Sequence, residues 1–218
     1  WSWDTRNECI ISVLHGNLVV RFTDDETNEP FLSFMGANEP DRTATELIAY
    51  AKDSGISPTL GFMPEESVAG IKSPLFVVEE DRNNFEYICS VPELAALSGP
   101  KFNRRRYCAK RFLREHPEAR FEIVNASNAT IEKYILSVFS RWEADRKFKG
   151  HKRYELQNEQ TAIERIFDVA SSPKLIVSGI FIGDAMIAFS IDEIISGQYC
   201  MGHFWKADVT YMGIYDFM

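Results

Sequence analysis

The chain has 218 residues, 45% hydrophobic and 26% charged, with 24 Lys and Arg against 32 Asp and Glu for a formal net charge of −8. That mixture belongs to an ordinary globular protein of one large or two small domains; it excludes a disordered chain and a surface that binds nucleic acid or anionic lipid over its whole extent. The four cysteines lie far apart with no C-x-x-C pair, which signals neither a zinc site nor a disulfide framework and predicts reduced thiols in a cytoplasmic setting.

The chain opens on a polar, mixed-charge run, residues 1–8, with no signal peptide. It has no initiator methionine and stops at Met218 without a turn or cap, which gives the expectation of a segment of a longer protein. Residues 9–14 and 18–23 are β-rich and flank His15-Gly16-Asn17, the pattern of a hairpin, and 29–35 supplies a third strand. A helix is predicted over 43–52, with Thr43 at its start, Glu46 in its first turn and Gly55 beyond its end. A short helix over 64–71 and strands over 75–78 and 85–89 follow, then a helix opened by Pro92, where the missing N–H costs nothing. A basic helix runs over 101–116 and is stopped by Pro117. After a strand at 121–124, Ser127 caps a long helix to residue 146, and a second helix covers 155–170. The most apolar stretch, 175–191, is broken by Gly183-Asp184, so it forms strands and not a membrane-spanning helix of about 20 residues. Strands over 175–182, 185–194 and 198–205 make an antiparallel meander with turns at Gly183-Asp184 and Ser196-Gly197.

Two helices followed by such a meander is the order of a GNAT-like half, and the first half shows a comparable meander followed by a helix. The expected fold is α/β of the α+β kind: tandem GNAT-like (acyl-CoA N-acyltransferase-like) halves with mixed, mainly antiparallel sheets flanked by helices. The N-terminal half is expected over residues 1–91 and the C-terminal half, truncated at its end, over 92–218. No residue-level repeat links them.

Seven of the fourteen residues 101–114 are basic: Lys101, Arg104, Arg105, Arg106, Lys110, Arg111 and Arg114. Helical spacing sets Arg104, Arg111 and Arg114 on one face with Tyr107, and Phe102, Ala109, Phe112 and Leu113 on an inward stripe. Guanidinium forks in fixed relation suit phosphates, because each donates two parallel hydrogen bonds. The end of a tRNA or coenzyme A would fit such a helix; a solvated, salt-bridged surface helix has the same charge pattern.

At the end of the last predicted strand stand His203, Phe204, Trp205, Lys206, Ala207 and Asp208. A period of two sends His203 and Trp205 to one face and Phe204 and Lys206 to the other. Lys206 is suited to hold an anion, to orient a carboxylate, or to pair with Asp208 as a solvated edge residue. With an ordinary pKa of about 6.5, His203 suits a base, and equally a hydrogen-bonded structural histidine. Glu143 and Asp145 end the helix that holds Trp142, ahead of a loop at 146–150. Glu159 opens the next helix, where an acid complements the helix dipole.

No P-loop, G-x-S-x-G, zinc signature or dinucleotide fingerprint is present, and no metal is expected. The Q/R-x-x-G-x-G/A turn by which acetyltransferases hold pyrophosphate would fall at residues 206–213, which read KADVTYMG; coenzyme A is therefore disfavoured as donor.

With these residues in hand, the chain resembles the phosphatidylglycerol lysyltransferase C-terminal domain family. Leu97-Ser98-Gly99-Pro100-Lys101-Phe102, Arg104-Arg105-Arg106 and Phe112 resemble its "L-x-G-x-K-F/Y-x-x-K-R-N…F" helix, although Tyr107 and Lys110 stand where the family has Asn. Residues 179–191 resemble its "G-x-x-I/V-x-G-x-x-x-A-F" hairpin, and His203, Lys206, Ala207, Asp208, Gly213 and Tyr215 its "H-x-x-K-A-D/N…G-x-Y" motif. The resemblance implies a tandem GNAT-like transferase that takes an aminoacyl group from aminoacyl-tRNA and passes it to a phosphatidylglycerol-like lipid or another hydroxyl or amine acceptor. It needs no cofactor beyond the charged tRNA as donor, with acyl-CoA the alternative. It implies no stable duplex nucleic-acid binding, and a cytoplasmic protein in peripheral contact with the inner face of the membrane. Lys206, His203 and Asp208 are then the catalytic candidates. Lys101, Arg104, Arg105, Arg106, Arg111 and Tyr215 are the substrate- and phosphate-binding ones, with the basic helix and Lys206 converging on a cleft between the halves. Transfer is expected to be direct, with Cys108 facing the core. A coenzyme-A-dependent N-acyltransferase and a non-catalytic binding module are the alternatives.

Overall fold

The computed structural model describes residues 10–24, 27, 29–149 and 153–218, without the side chains of 153–155. The chain divides into two compact units, Trp1–Ile88 and Cys89–Met218.

In the first unit, β1 (Ile10–Leu14), β2 (Asn17–Thr23) and β3 (Pro30–Met35) form an antiparallel sheet in that order. Leu14 pairs with Asn17, so the hairpin turns on His15 and Gly16 alone, with φ of 52° and 78°. Two positive φ angles give the turn the twist that adjoining strands need. Asn17 therefore begins the strand, buried, and ties the next connection down: its Nδ2 donates to the Asn38 carbonyl (2.6 Å) and to Thr43 Oγ1 (2.9 Å). Helix α1 (Pro40–Asp53) starts before the predicted position because Pro40 occupies its first turn. Thr43 is a buried partner of Asn17, not a cap. Ala44, Leu47 and Ala51 of α1 pack on Val19, Leu32 and Phe34. A short helix, α2 (Glu65–Val68), follows. The strands predicted at 75–78 and 85–89 do not form. Leu75, Val77, Tyr87 and Ile88 are 84%, 85%, 96% and 79% exposed: these β-rich runs find no strand edge and no core face, and β propensity is expressed only where a sheet receives it.

The second unit begins with α3 (Val91–Ala96), whose N-cap Ser90 accepts from the Glu93 amide, and α4 (Asn103–Glu115). Strand β4 (Arg120–Val124) leads to α5 (Ala129–Phe148), capped by Asn128 in place of the predicted Ser127. Then come α6 (Arg153–Ile166), β5 (Leu175–Ile182), β6 (Ala185–Ile194), β7 (Cys200–Ala207) and α7 (Ile214–Phe217). The predicted meander gains β4 as an edge, giving a sheet β4-β5-β6-β7 in which all neighbours are antiparallel. On one face, Val177, Phe189, Ile191 and Phe204 meet Ile135, Val138, Phe139 and Trp142 of α5 and Ile163 of α6. On the other, Ile180, Ala188 and Ala207 meet Phe112 of α4 and Ile214 of α7. Both units are thus α/β, with mainly antiparallel sheets flanked by helices, as the sequence predicts. Among the described residues no helix is long and apolar enough to cross a membrane.

Candidate functional site

Strand alternation sends Phe204 and Lys206 to the same face, under α5 and α6, and there Lys206 meets its partner. Its Nζ pairs with Glu159 Oε1, the two side chains being only 13% and 7% exposed. The same Nζ lies 3.9 Å from the centroid of the Trp142 ring. Arg146, one helical turn beyond Trp142 on α5, brings its Cζ to 5.2 Å from that centroid, and its Nε is buried with no hydrogen-bond partner among the described residues. Tyr215, on α7, reaches this corner from the end of β7: its hydroxyl accepts from the Ala207 amide at 3.1 Å. Burial pushes the Tyr215 phenol up from its ordinary value, against the opposing pull of the Ala207 N–H and the Arg146 charge. Two cations thus lie against one indole, with Glu159 paired to Lys206, in a corner where the Lys206 and Glu159 side chains are withdrawn from solvent and Tyr215 is 41% exposed. Such a corner attracts an anion or a carbonyl oxygen that is acquiring negative charge.

Glu159 is not at a helix start. Since α6 begins at Arg153, Glu159 lies inside it, on the stripe shared with Leu156 and Ile163. A carboxylate on an apolar stripe must find a cation, and that was the signal in the sequence. Glu143 and Asp145 likewise sit within a longer α5 and pair with Lys147 (2.6 Å) and Lys149 (2.7 Å).

Asp208 does not pair with Lys206. Its Oδ2 lies 3.0 Å from Arg141 Nε on α5, and its Oδ1 accepts from the Thr210 amide (3.1 Å) and hydroxyl (2.6 Å), which fixes the turn into α7. His203 falls at an irregularity of the β6–β7 ladder, where Ile191 pairs with Phe204 and Asp192 with Gly202. Its Nε2 sits 3.0 Å from Glu193 Oε2. Neither residue is brought to the Lys206 amine.

The basic helix lies elsewhere. Phe112 of α4 packs on the face of the sheet that carries Ala207 and Ile180, so α4 and the Lys206 ammonium lie on opposite faces of that sheet. Lys101 pairs with Glu93, and Arg111 with Glu115 at 2.7 Å, which raises the guanidinium pKa and lowers that of the carboxyl. Arg106 is spent on structure, donating to the carbonyls of Leu97 and Gly99 and to Asn103 Oδ1. Arg104 and Arg105 are exposed, with no partner among the described residues.

A family model described as phosphatidylglycerol lysyltransferase, C-terminal, matches residues 12–218. The chain belongs to this family. No curated protein matches it significantly in sequence. A crystal structure described as a conserved protein of unknown function from Bacteroides thetaiotaomicron VPI-5482 is similar in fold, with a TM-score of 0.77 at 21% identity, covering 99% of this chain and 72% of that one. The lysyltransferase family is named for a transferase that acts on a lipid, and in this member the motif residues Lys206, Ala207 and Tyr215 fall together at the β7–α7 corner.

Proposed function

We propose that this chain moves an aminoacyl group from a charged tRNA to a hydroxyl of a phosphatidylglycerol-like lipid, on a GNAT-like framework. The observation that carries this reading is the Lys206–Glu159–Trp142–Arg146–Tyr215 cluster in a member of a family named for lysyl transfer. The acceptor hydroxyl oxygen attacks the carbonyl carbon of the donor ester. The bond to the tRNA ribose oxygen breaks, that oxygen leaves with the proton given up by the acceptor, and a new ester remains on the lipid. Lys206 and Arg146 face the negative charge that develops on the carbonyl oxygen, while the neutral phenol of Tyr215, whose pKa is raised from its ordinary value, is a hydrogen-bond donor for the departing oxygen. Exposed Arg104 and Arg105 serve the donor's phosphates. Asp208 and His203 act as positioning residues, holding the α7 turn and the β6–β7 edge.

The test is a transfer assay with a panel of charged tRNAs, phosphatidylglycerol vesicles and acyl-CoA controls. Lipid-linked amino acid is expected with charged tRNA alone, and Lys206→Met should lower kcat by roughly 10²–10³-fold, the loss typical of one oxyanion-stabilising group. Arg105→Ala should raise KM for the tRNA at little cost to kcat. Full turnover by Lys206→Met, or transfer from acyl-CoA only, rejects the proposal.

A further inference from the structure

Among the described residues, one end of the second unit's sheet carries no helix on the face opposite Lys206. One cross-strand row runs through all four strands there: Ile123 pairs with Ser178, Ser178 with Ser190, and Ser190 with Trp205. Asp192, two residues on from Ser190, stands on the same face. Further along this face α4 and α7 cover the sheet; beside Ser178 and Trp205 it opens into a cavity of about 200 Å³, also lined by Phe121, Asp192 and Met218. That volume holds roughly six or seven waters at about 30 Å³ each, enough for a small ligand or one end of a larger one.

The hydrogen bonds of the floor all run one way. Trp205 Nε1 donates to Asp192 Oδ1 at 2.8 Å, and Ser190 Oγ donates to Asp192 Oδ2 at 2.7 Å. Ser178 and Ser190 hydroxyls are 2.7 Å apart; since Ser190 has committed its one proton to Asp192, Ser178 must be the donor in that contact. Every side-chain donor of the floor is therefore consumed, and only acceptor capacity remains: the spare lone pairs of the carboxylate and of Ser178. No cation pairs with Asp192 among the described residues, in contrast to Glu159 beneath Trp142. A carboxylate held by neutral donors beside apolar walls keeps its charge uncompensated. The walls are Phe121 and Ile123, 56% and 73% exposed, and the indole of Trp205, 48% exposed. Gly202 preserves the arrangement, because a Cβ there would lie 2.9 Å from Trp205 Nε1 and 3.3 Å from Asp192 Oδ1, displacing the indole from the acid.

We propose that this cavity binds a small organic ammonium ion. Its N–H groups donate to Asp192 and Ser178, its alkyl body lies against Phe121, Ile123 and Met218, and the exposed indole of Trp205 adds a cation–π contact. An anion or a pure acceptor meets only lone pairs and the carboxylate charge, and is refused. The site is independent of the proposed transfer chemistry, which lies on the other side of the sheet.

The experiment titrates the full chain with n-hexylammonium and with 1-hexanol, its uncharged counterpart, following the indole N–H resonance of Trp205, assigned by its loss in Trp205→Phe, together with calorimetry. Hexylammonium is expected to bind at least tenfold more tightly than hexanol and to shift that resonance, and Asp192→Asn, checked for an unchanged melting temperature, to lose at least tenfold of the ammonium affinity. Equal binding of the two probes, no binding of hexylammonium at millimolar concentration, or full ammonium affinity in a folded Asp192→Asn variant overturns the proposal. The comparison of the two probes on the unmodified chain keeps the test decisive if the variant fails to fold.

Discussion

Removing the ammonium of Lys206 from water costs several kcal/mol, offset by the Glu159 carboxylate and the face of Trp142. Breaking such a pair from one side strands the other charge. Lys206→Met should therefore lower the free energy of unfolding by about 3–5 kcal/mol, and adding Glu159→Leu should recover most of that loss, because an apolar pair of similar volume replaces an ion pair at little cost. Urea unfolding monitored by circular dichroism measures both. Transfer activity should stay lost in the double variant although stability returns, which separates the chemical part of Lys206 from its structural part. An equally destabilised double variant would show that Glu159 is held by something other than Lys206. Alternation along a strand placed Lys206 beside Phe204 from sequence alone. Its partner is 47 residues away in the chain, on an element whose start the sequence misplaced, and so the pair was illegible.

At the scale of elements, the junction of α4 with α7 decides where Tyr215 sits. Gly213 precedes α7 with φ of 86°, in the left-handed region where a side chain is strained. A Cβ there would also run into the carbonyl of Cys108 on α4. Gly213→Ala is expected to lower stability by at least about 1–3 kcal/mol, the cost of the backbone conformation alone. Because α7 must then part from α4, it should also reduce kcat in the transfer assay while leaving a folded protein. A melting curve and a rate together check this; an unchanged Tm would mean that the junction relaxes freely. The basic helix itself was legible, since charge density coincides with the stripe of Phe102, Ala109, Phe112 and Leu113, of which Phe102 and Phe112 are buried while Leu113, expected inward, is 43% exposed. Which of its arginines are free was not: Arg106 is consumed by the carbonyls of the turn before it, a local capture that helical spacing alone does not reveal.

For the whole molecule, the two units are bounded by a segment with almost no regular structure, from Lys72 to Ser90, in which Tyr87 is 96% exposed. Exposed backbone without ladder or core contacts is where proteases cut. Limited digestion with chymotrypsin should cleave first at Phe85 or Tyr87, giving two resistant fragments identifiable by mass; first cleavage inside α1, α5 or the second sheet would contradict the division. The net charge of −8 is spread over a chain whose basic residues concentrate on α4, so any polyanion must be met locally.

The sequence by itself determined the order of elements, the two antiparallel meanders, the basic helix and the motif residues, because each rests on contacts or periodicities within a few residues. It also overcalled strands at 75–78 and 85–89, where propensity had no sheet to join. Tertiary structure alone decided that Lys206 meets Glu159 under Trp142, that Asp208 goes to Arg141, that α4 and the Lys206 amine face opposite sides of one sheet, and that Ser178, Ser190, Asp192 and Trp205 turn every donor toward one carboxylate. Those outcomes depend on which distant residues share a face once strands pair and helices pack, and chain-local chemistry does not encode that.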